Sequence, residues 1–137
     1  MNKLVLHLLT MLEASEKVSL YSSKFSSFDD FFNYNEQESY NACLNLLAAI
    51  GEEAKFLPDD LKQSFSHIDW VAVVSLRNHI AHKYRGIDPE IIWDIIENEL
   101  PSLQSVVVKA VKYIANLSEL KKFLDQNYYR NSRKHFE

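Results

Sequence analysis

The 137 residues contain only two glycines and three prolines, the strongest turn-forming residues. A sheet protein reverses direction about every ten residues and needs turn-forming side chains at most reversals. Scarce glycine and proline disfavour a sheet, so the chain is expected to be all-α, with long helices and few connections. With 47% apolar residues it can bury one core as a single domain.

Apolar spacing predicts the helices. Leu4, Leu8, Met11 and Leu12 form a 3.6-residue stripe over residues 3–22. Residues 26–33 read as a turn whose aromatics, with Phe25, Phe28, Phe31 and Phe32 among them, pack inward. Asn33 and Glu36 have capping-box spacing, and a helix is expected from there to about residue 55, buried along Tyr40, Cys43, Leu44, Leu47 and Ile50. Pro58 breaks the chain, a short helical piece follows, and Asp69 is placed to cap the next helix. Gly86 is expected to end that helix in a left-handed conformation. Asp88 and Pro89 restart it as N-cap and first residue. A last helix is expected from near Pro101 to about residue 124. The expectation is an up-and-down bundle of four to five helices over residues 1–124, with residues 125–137 a solvated basic and aromatic tail.

Composition excludes several function classes. No apolar run is long enough to span a bilayer and no signal-peptide pattern is seen, so a cytoplasmic protein without membrane contact is expected. The single cysteine, Cys43, cannot form an internal disulfide and reads as a small core residue. The net charge of −4 speaks against a general nucleic-acid coat protein, but the charge is uneven. Residues 1–76 hold 5 Lys/Arg against 11 Asp/Glu, and residues 77–137 hold 10 against 8. The local potential, more than the net charge, governs what approaches a site.

One short stretch combines local positive charge with reactive side chains. Arg77-Asn78-His79-Ile80-Ala81-His82-Lys83-Tyr84-Arg85 contains three cations and no acid. On a helix Asn78 and His82 share one face, Arg77 and Tyr84 fall close together beside it, and Arg85 lies between the pairs. Phosphodiester cleavage needs a fixed cation and a proton carrier, because charge builds on phosphoryl oxygens as protons move. Arg77 suits forked contact with phosphate, and an imidazole such as His82 exchanges protons near neutrality. Asn78 is placed to orient either, and Lys83 and Arg85 to attract substrate. His79 reads as a bystander. His79 and His82 have no third ligand nearby, cysteine pairs are lacking, and no Gly-rich phosphate loop is present, so neither a metal nor another cofactor is expected. These residues fit a metal-independent RNA endonuclease, for which the ribose 2′-hydroxyl supplies the nucleophile.

The spelling R-N-x-x-x-H-x-Y, followed by Gly86-Ile87-Asp88 and Trp93, resembles the HEPN superfamily, and within it the HepT-like toxins of toxin–antitoxin pairs. Ile50-Gly51-Glu52-Glu53-Ala54-Lys55 resembles that family's "IGEAAK" helix end. Ile68-Asp69-Trp70 resembles its "I-P-W" helix start, with Asp69 where proline is usual. Glu99-Leu100-Pro101-Ser102-Leu103 resembles its "D-L-P-x-L", so the likeness covers about residues 26–105. The resemblance implies a homodimer whose two motifs face one cleft, with a cyclic phosphate and a 5′-hydroxyl as products. It also implies a nucleotidyltransferase-type antitoxin that adenylylates Tyr84, whose attached AMP would block substrate phosphate by bulk and charge. The alternative for Tyr84 is packing and hydrogen bonding at the dimer interface. A related group of small helical proteins with a similar motif resembles non-catalytic substrate-binding subunits of separate nucleotidyltransferases. On that alternative Arg77 and His82 would bind a nucleotide and cleave nothing.

Overall fold

Asn2 opens the first helix, its side-chain oxygen accepting the Leu4 N–H at 2.8 Å in a computed structural model that describes residues 2–137. Helix α1 (Lys3–Ser22) is buried on every side across residues 11–16, including Glu13 and Glu16. It is therefore the central post of the bundle. Helix α3 (Glu38–Ala54) runs antiparallel to it, since His7 meets Glu53 at one end and Cys43 packs under Val18 at the other. The helix α5 (Trp70–His82) lies on the far side of α3, and α7 (Leu100–Ile114) on the far side of α1. The order α5–α3–α1–α7, with each neighbour antiparallel, is an up-and-down bundle, and all regular structure among the described residues is helical.

The connections differ from the sequence expectation in instructive ways. Residues 26–33 are not a simple turn. Ser27 caps a short helix, α2 (Phe28–Asn33), which carries Phe31 into the core against Trp93 at 4.9 Å. The Asn33/Glu36 capping box does not form. Asn33 donates to the Asp29 carbonyl instead, and Asn35, Glu36 and Gln37 all adopt positive φ before α3 begins at Glu38. Left-handed backbone is unfavourable for side chains with a Cβ, but aromatic packing of Phe31 and Phe32 on Tyr40 fixes both flanks of this bend.

Pro58 precedes the short helix α4 (Asp59–Ser64), and Asp69 caps α5 by accepting the Ala72 N–H at 3.1 Å, as the spacing predicts. Asp88 likewise caps α6 (Pro89–Asp94), but this helix does not stop before Pro101. It passes through a π-helical turn, Ile95–Glu99, directly into α7, with the Leu100 N–H reaching the Ile95 carbonyl. Pro101 has no N–H and crowds the carbonyl four residues back, and a widened turn accommodates both defects. The last helix is also divided. Ala115 is extended, and Asn116 accepts the N–H groups of Ser118 and Glu119 to start α8 (Leu117–Leu124).

The expected solvated tail is a packed one. Glu13, 1% exposed, accepts four hydrogen bonds from it: the backbone and side-chain amides of Asn131 at 3.0 and 2.7 Å, and the backbone and hydroxyl of Ser132 at 3.1 and 3.0 Å. Glu16 takes Lys134 at 3.1 Å and His135 at 2.6 Å. Arg133 folds back onto the C-terminal carbonyls of α8. A buried carboxylate without partners is costly, so these bonds fix where the segment lies.

Candidate active site

The motif sits on the least covered helix of the bundle. Of thirteen residues in α5 only Trp70 and Ile80 are buried, because α3 is its one substantial helix neighbour. The contact is close. A Cβ on Gly51 would stand 2.8 Å from the Val73 carbonyl oxygen and 2.9 Å from the Arg77 nitrogen, so glycine lets the two backbones approach. Trp70 locks the start of α5 by donating its indole N–H to the Lys62 and Phe65 carbonyls.

Helical geometry then divides the motif between two faces. Val73, Leu76, Arg77 and Ile80 lie toward α3. Val71, Ser75, Asn78 and His82 form the opposite stripe, at i, i+4, i+7 and i+11, and point outward. The expected Asn78–His82 pair is thus on one open face, and Val71 at its upper end is 82% exposed. Arg77 bridges the two faces. Its Nη1 donates to Asn78 Oδ1 at 3.1 Å, and its Nε lies 3.9 Å from Glu52 on α3. Glu52 is itself bonded to Lys55 at 2.5 Å, and that bond, with the charges of Lys55 and Arg77, holds its carboxyl below the ordinary carboxylate value.

The helix ends sooner than the sequence suggests. Lys83 leaves helical dihedrals, and Tyr84–Gly86 form a 3₁₀ turn closed by the Gly86 N–H on the Lys83 carbonyl at 2.8 Å. Gly86 does not have positive φ, so the predicted left-handed cap is absent. A 3₁₀ exit into extended Ile87 satisfies the terminal carbonyls without it. Tyr84 consequently donates its hydroxyl to Asn41, eleven residues before the Glu52 that meets Arg77. Those two points on α3 are about 16 Å apart, so Arg77 and Tyr84 edge the same helix without lying together. Burial pushes the Tyr40 phenol up, and the nearby Tyr84 and Asp88 add to the shift. Lys83 and Arg85 are exposed beside Tyr84, with no carboxylate at ion-pair distance among the described residues.

His79 and His82 are both exposed in the last turn. Among the described residues no three His, Cys, Asp or Glu side chains are arranged to hold a metal, and no helix is long and apolar enough to cross a membrane. A cavity of about 280 Å³ lies beside the first half of α5, lined by Leu47, Ile50, Ala72 and Leu76, but none of the motif residues Arg77, Asn78, His82 or Tyr84 reaches it. Sequence reasoning missed Asn41 and Glu52. Both belong to the stripe Asn41, Asn45, Ala48 and Glu52 along one edge of α3.

Comparison with known proteins points to a family of ribonucleases. The family model described as "Ribonuclease HepT-like" matches residues 11–110. A candidate RNase of Methanocaldococcus jannaschii is 32% identical over 68% of this chain and 75% of its own length. A second from that organism is 31% identical over 71% of this chain and 86% of its own. A candidate ribonuclease HepT of Thermococcus cleftensis is 28% identical over 73% of this chain and 88% of its own. No solved structure matches the chain.

Proposed function

The chain belongs to the HepT-like ribonuclease family, and from that premise we propose that it is a metal-independent endoribonuclease acting through Arg77, Asn78 and His82. The observation that carries the reading is the outward stripe of α5, where His82 and Asn78 stand uncovered with Arg77 hydrogen-bonded to Asn78. The ribose 2′-oxygen attacks phosphorus and the 5′-oxygen leaves, giving a 2′,3′-cyclic phosphate and a 5′-hydroxyl. One imidazole takes the 2′ proton while Arg77 neutralises charge on the phosphoryl oxygens. A second acid must protonate the leaving oxygen. In a two-fold dimer that pairs the open faces of α5, the second copy's His82 supplies it. Lys83 and Arg85 raise the local concentration of RNA.

The same reading assigns control to a minimal nucleotidyltransferase antitoxin. The Tyr84 oxygen attacks the α-phosphorus of ATP and pyrophosphate leaves, so the phenol becomes an AMP ester. Its 57% exposure supports access, and since the hydroxyl proton given to Asn41 is lost on esterification, modification also releases Tyr84 from α3.

The test is cleavage of RNA by purified wild type and His82→Ala in EDTA, with product ends analysed. Wild type is expected to cut and leave cyclic phosphate, and His82→Ala to lose cutting. Arg77→Ala is expected to lose about 3 kcal/mol of transition-state stabilisation, by comparison with removal of an oxyanion donor, and His79→Ala to change little. Inhibition by EDTA, or equal losses at His79 and His82, would sink the assignment. A chain harmless when expressed alone, and unmodified at Tyr84 beside its nucleotidyltransferase, would favour the substrate-binding subunit.

A further inference from the structure

Charge is concentrated at the far end of the sequence. Residues 121–137 hold five Lys/Arg against two Asp/Glu, while the preceding 120 residues hold ten against seventeen. That segment is built onto the bundle by Glu13 and Glu16, so its cations occupy defined positions. Arg133 and Lys134 are consumed in holding it there. Lys121 and Lys122 on α8, and Arg130 between the 3₁₀ turns Asn127–Tyr129 and Arg133–His135, are exposed and have no carboxylate at ion-pair distance among the described residues. The first of these 3₁₀ turns packs against α8 and carries Tyr128, 53% exposed, with the Lys17 ammonium 4.9 Å from its ring centre.

We propose that Lys121, Lys122, Arg130 and Tyr128 form a second RNA contact, which grips single-stranded RNA outside the cleavage site. The proposal rests on the ribonuclease reading above and specifies how substrate is held. A chain with an overall negative charge repels a polyanion unless it offers a positive face, and three unpaired cations provide one. An exposed phenol ring with the Lys17 ammonium 4.9 Å from its centre gives a base a surface on which to stack, a contact that tolerates any sequence. Residues 111–137 lie outside the span matched by the family model, so the contact belongs to this chain and not to the shared core.

The experiment uses the full chain and a fluorescent 20-nucleotide RNA that is 2′-O-methylated, so that it can bind without being cut. Lys121→Glu/Lys122→Glu/Arg130→Glu is expected to bind it at least tenfold more weakly. The slope of log affinity against log salt should fall by about two, the counterion release of three phosphate contacts on a single strand. Tyr128→Ala should weaken binding several-fold with the salt slope unchanged. Cleavage of a dinucleotide, whose single phosphodiester is taken by the cleavage site, should match wild type. The triple Gln variant provides the same comparison should the Glu variant unfold. Unchanged affinity and slope would overturn the proposal, and so would unchanged RNA binding with altered sedimentation, which would make this a protein-contact face. Loss of RNA binding in the variants of a chain that cuts no RNA would leave the second contact standing and remove the ribonuclease reading.

Discussion

Cys43 is enclosed between α1 and α3, and burial pushes its thiol from an ordinary 9.0 up to about 12. The raised value means that folding favours the neutral form. That contribution is whole below pH 9 and is lost by about 1.4 kcal/mol per unit as pH rises toward 12, because the unfolded thiol ionises first. At pH 8 only about one folded molecule in ten thousand carries the thiolate. An aromatic disulfide reagent should therefore leave native protein unlabelled at pH 8 and label it at once in urea. Rapid labelling without denaturant would contradict this burial. At this scale the sequence was informative wherever one helix decides the outcome. Cys43 as a core residue, and Asn78 with His82 on one face, follow from periodicity alone. The Arg77–Glu52 and Tyr84–Asn41 contacts did not, because they depend on how a second helix is seated, 25 and 43 residues away.

Between elements, the α3–α5 seam carries the site, and Gly51 sets its width. Both atoms nearest a new Cβ belong to the α5 backbone, which cannot swing aside as a side-chain tip can. Gly51→Ala should separate the helices, cost about 2 kcal/mol in thermal or urea unfolding, and shift Arg77 relative to Glu52. Ribonuclease activity should fall more than stability alone explains at a temperature where the variant is fully folded. Full activity and stability would mean that the seam is not tight. Here the sequence was partly legible. Caps at Asp69 and Asp88 are local signals and formed as expected. The π turn before Pro101 and the bend at residues 35–37 were not readable, since tertiary packing resolved both conflicts in ways local propensity does not encode.

Over the whole molecule, one face of the bundle is unfinished. Val71 and Ser75 continue the outward stripe of α5 away from His82, and Val71 is 82% exposed. The proposed dimer would close this face and bring two His82 side chains to one cleft. Sedimentation at micromolar concentration should then give a dimer for wild type, and Val71→Asp should give a monomer with cleavage lost although no catalytic group has changed. A wild-type monomer with full activity would rule the pairing out. The all-helical class and the antiparallel order were legible from turn scarcity and apolar stripes. The docking of residues 125–137 was not, because a short polar segment has no periodicity to read and Glu13 looked like any other surface acid.

That glutamate also has a bearing on timing. Its partners follow it by 118 and 119 residues, so during synthesis α1 is made well before anything satisfies this carboxylate. Until residues 131 and 132 emerge, Glu13 favours water over the interior, and α1 cannot settle as the fully enclosed central post. The bundle therefore acquires its final order late, only after residues 131 and 132 have been added. A nascent fragment that already contains Arg77 and His82 still lacks the contacts that fix the helix at its centre.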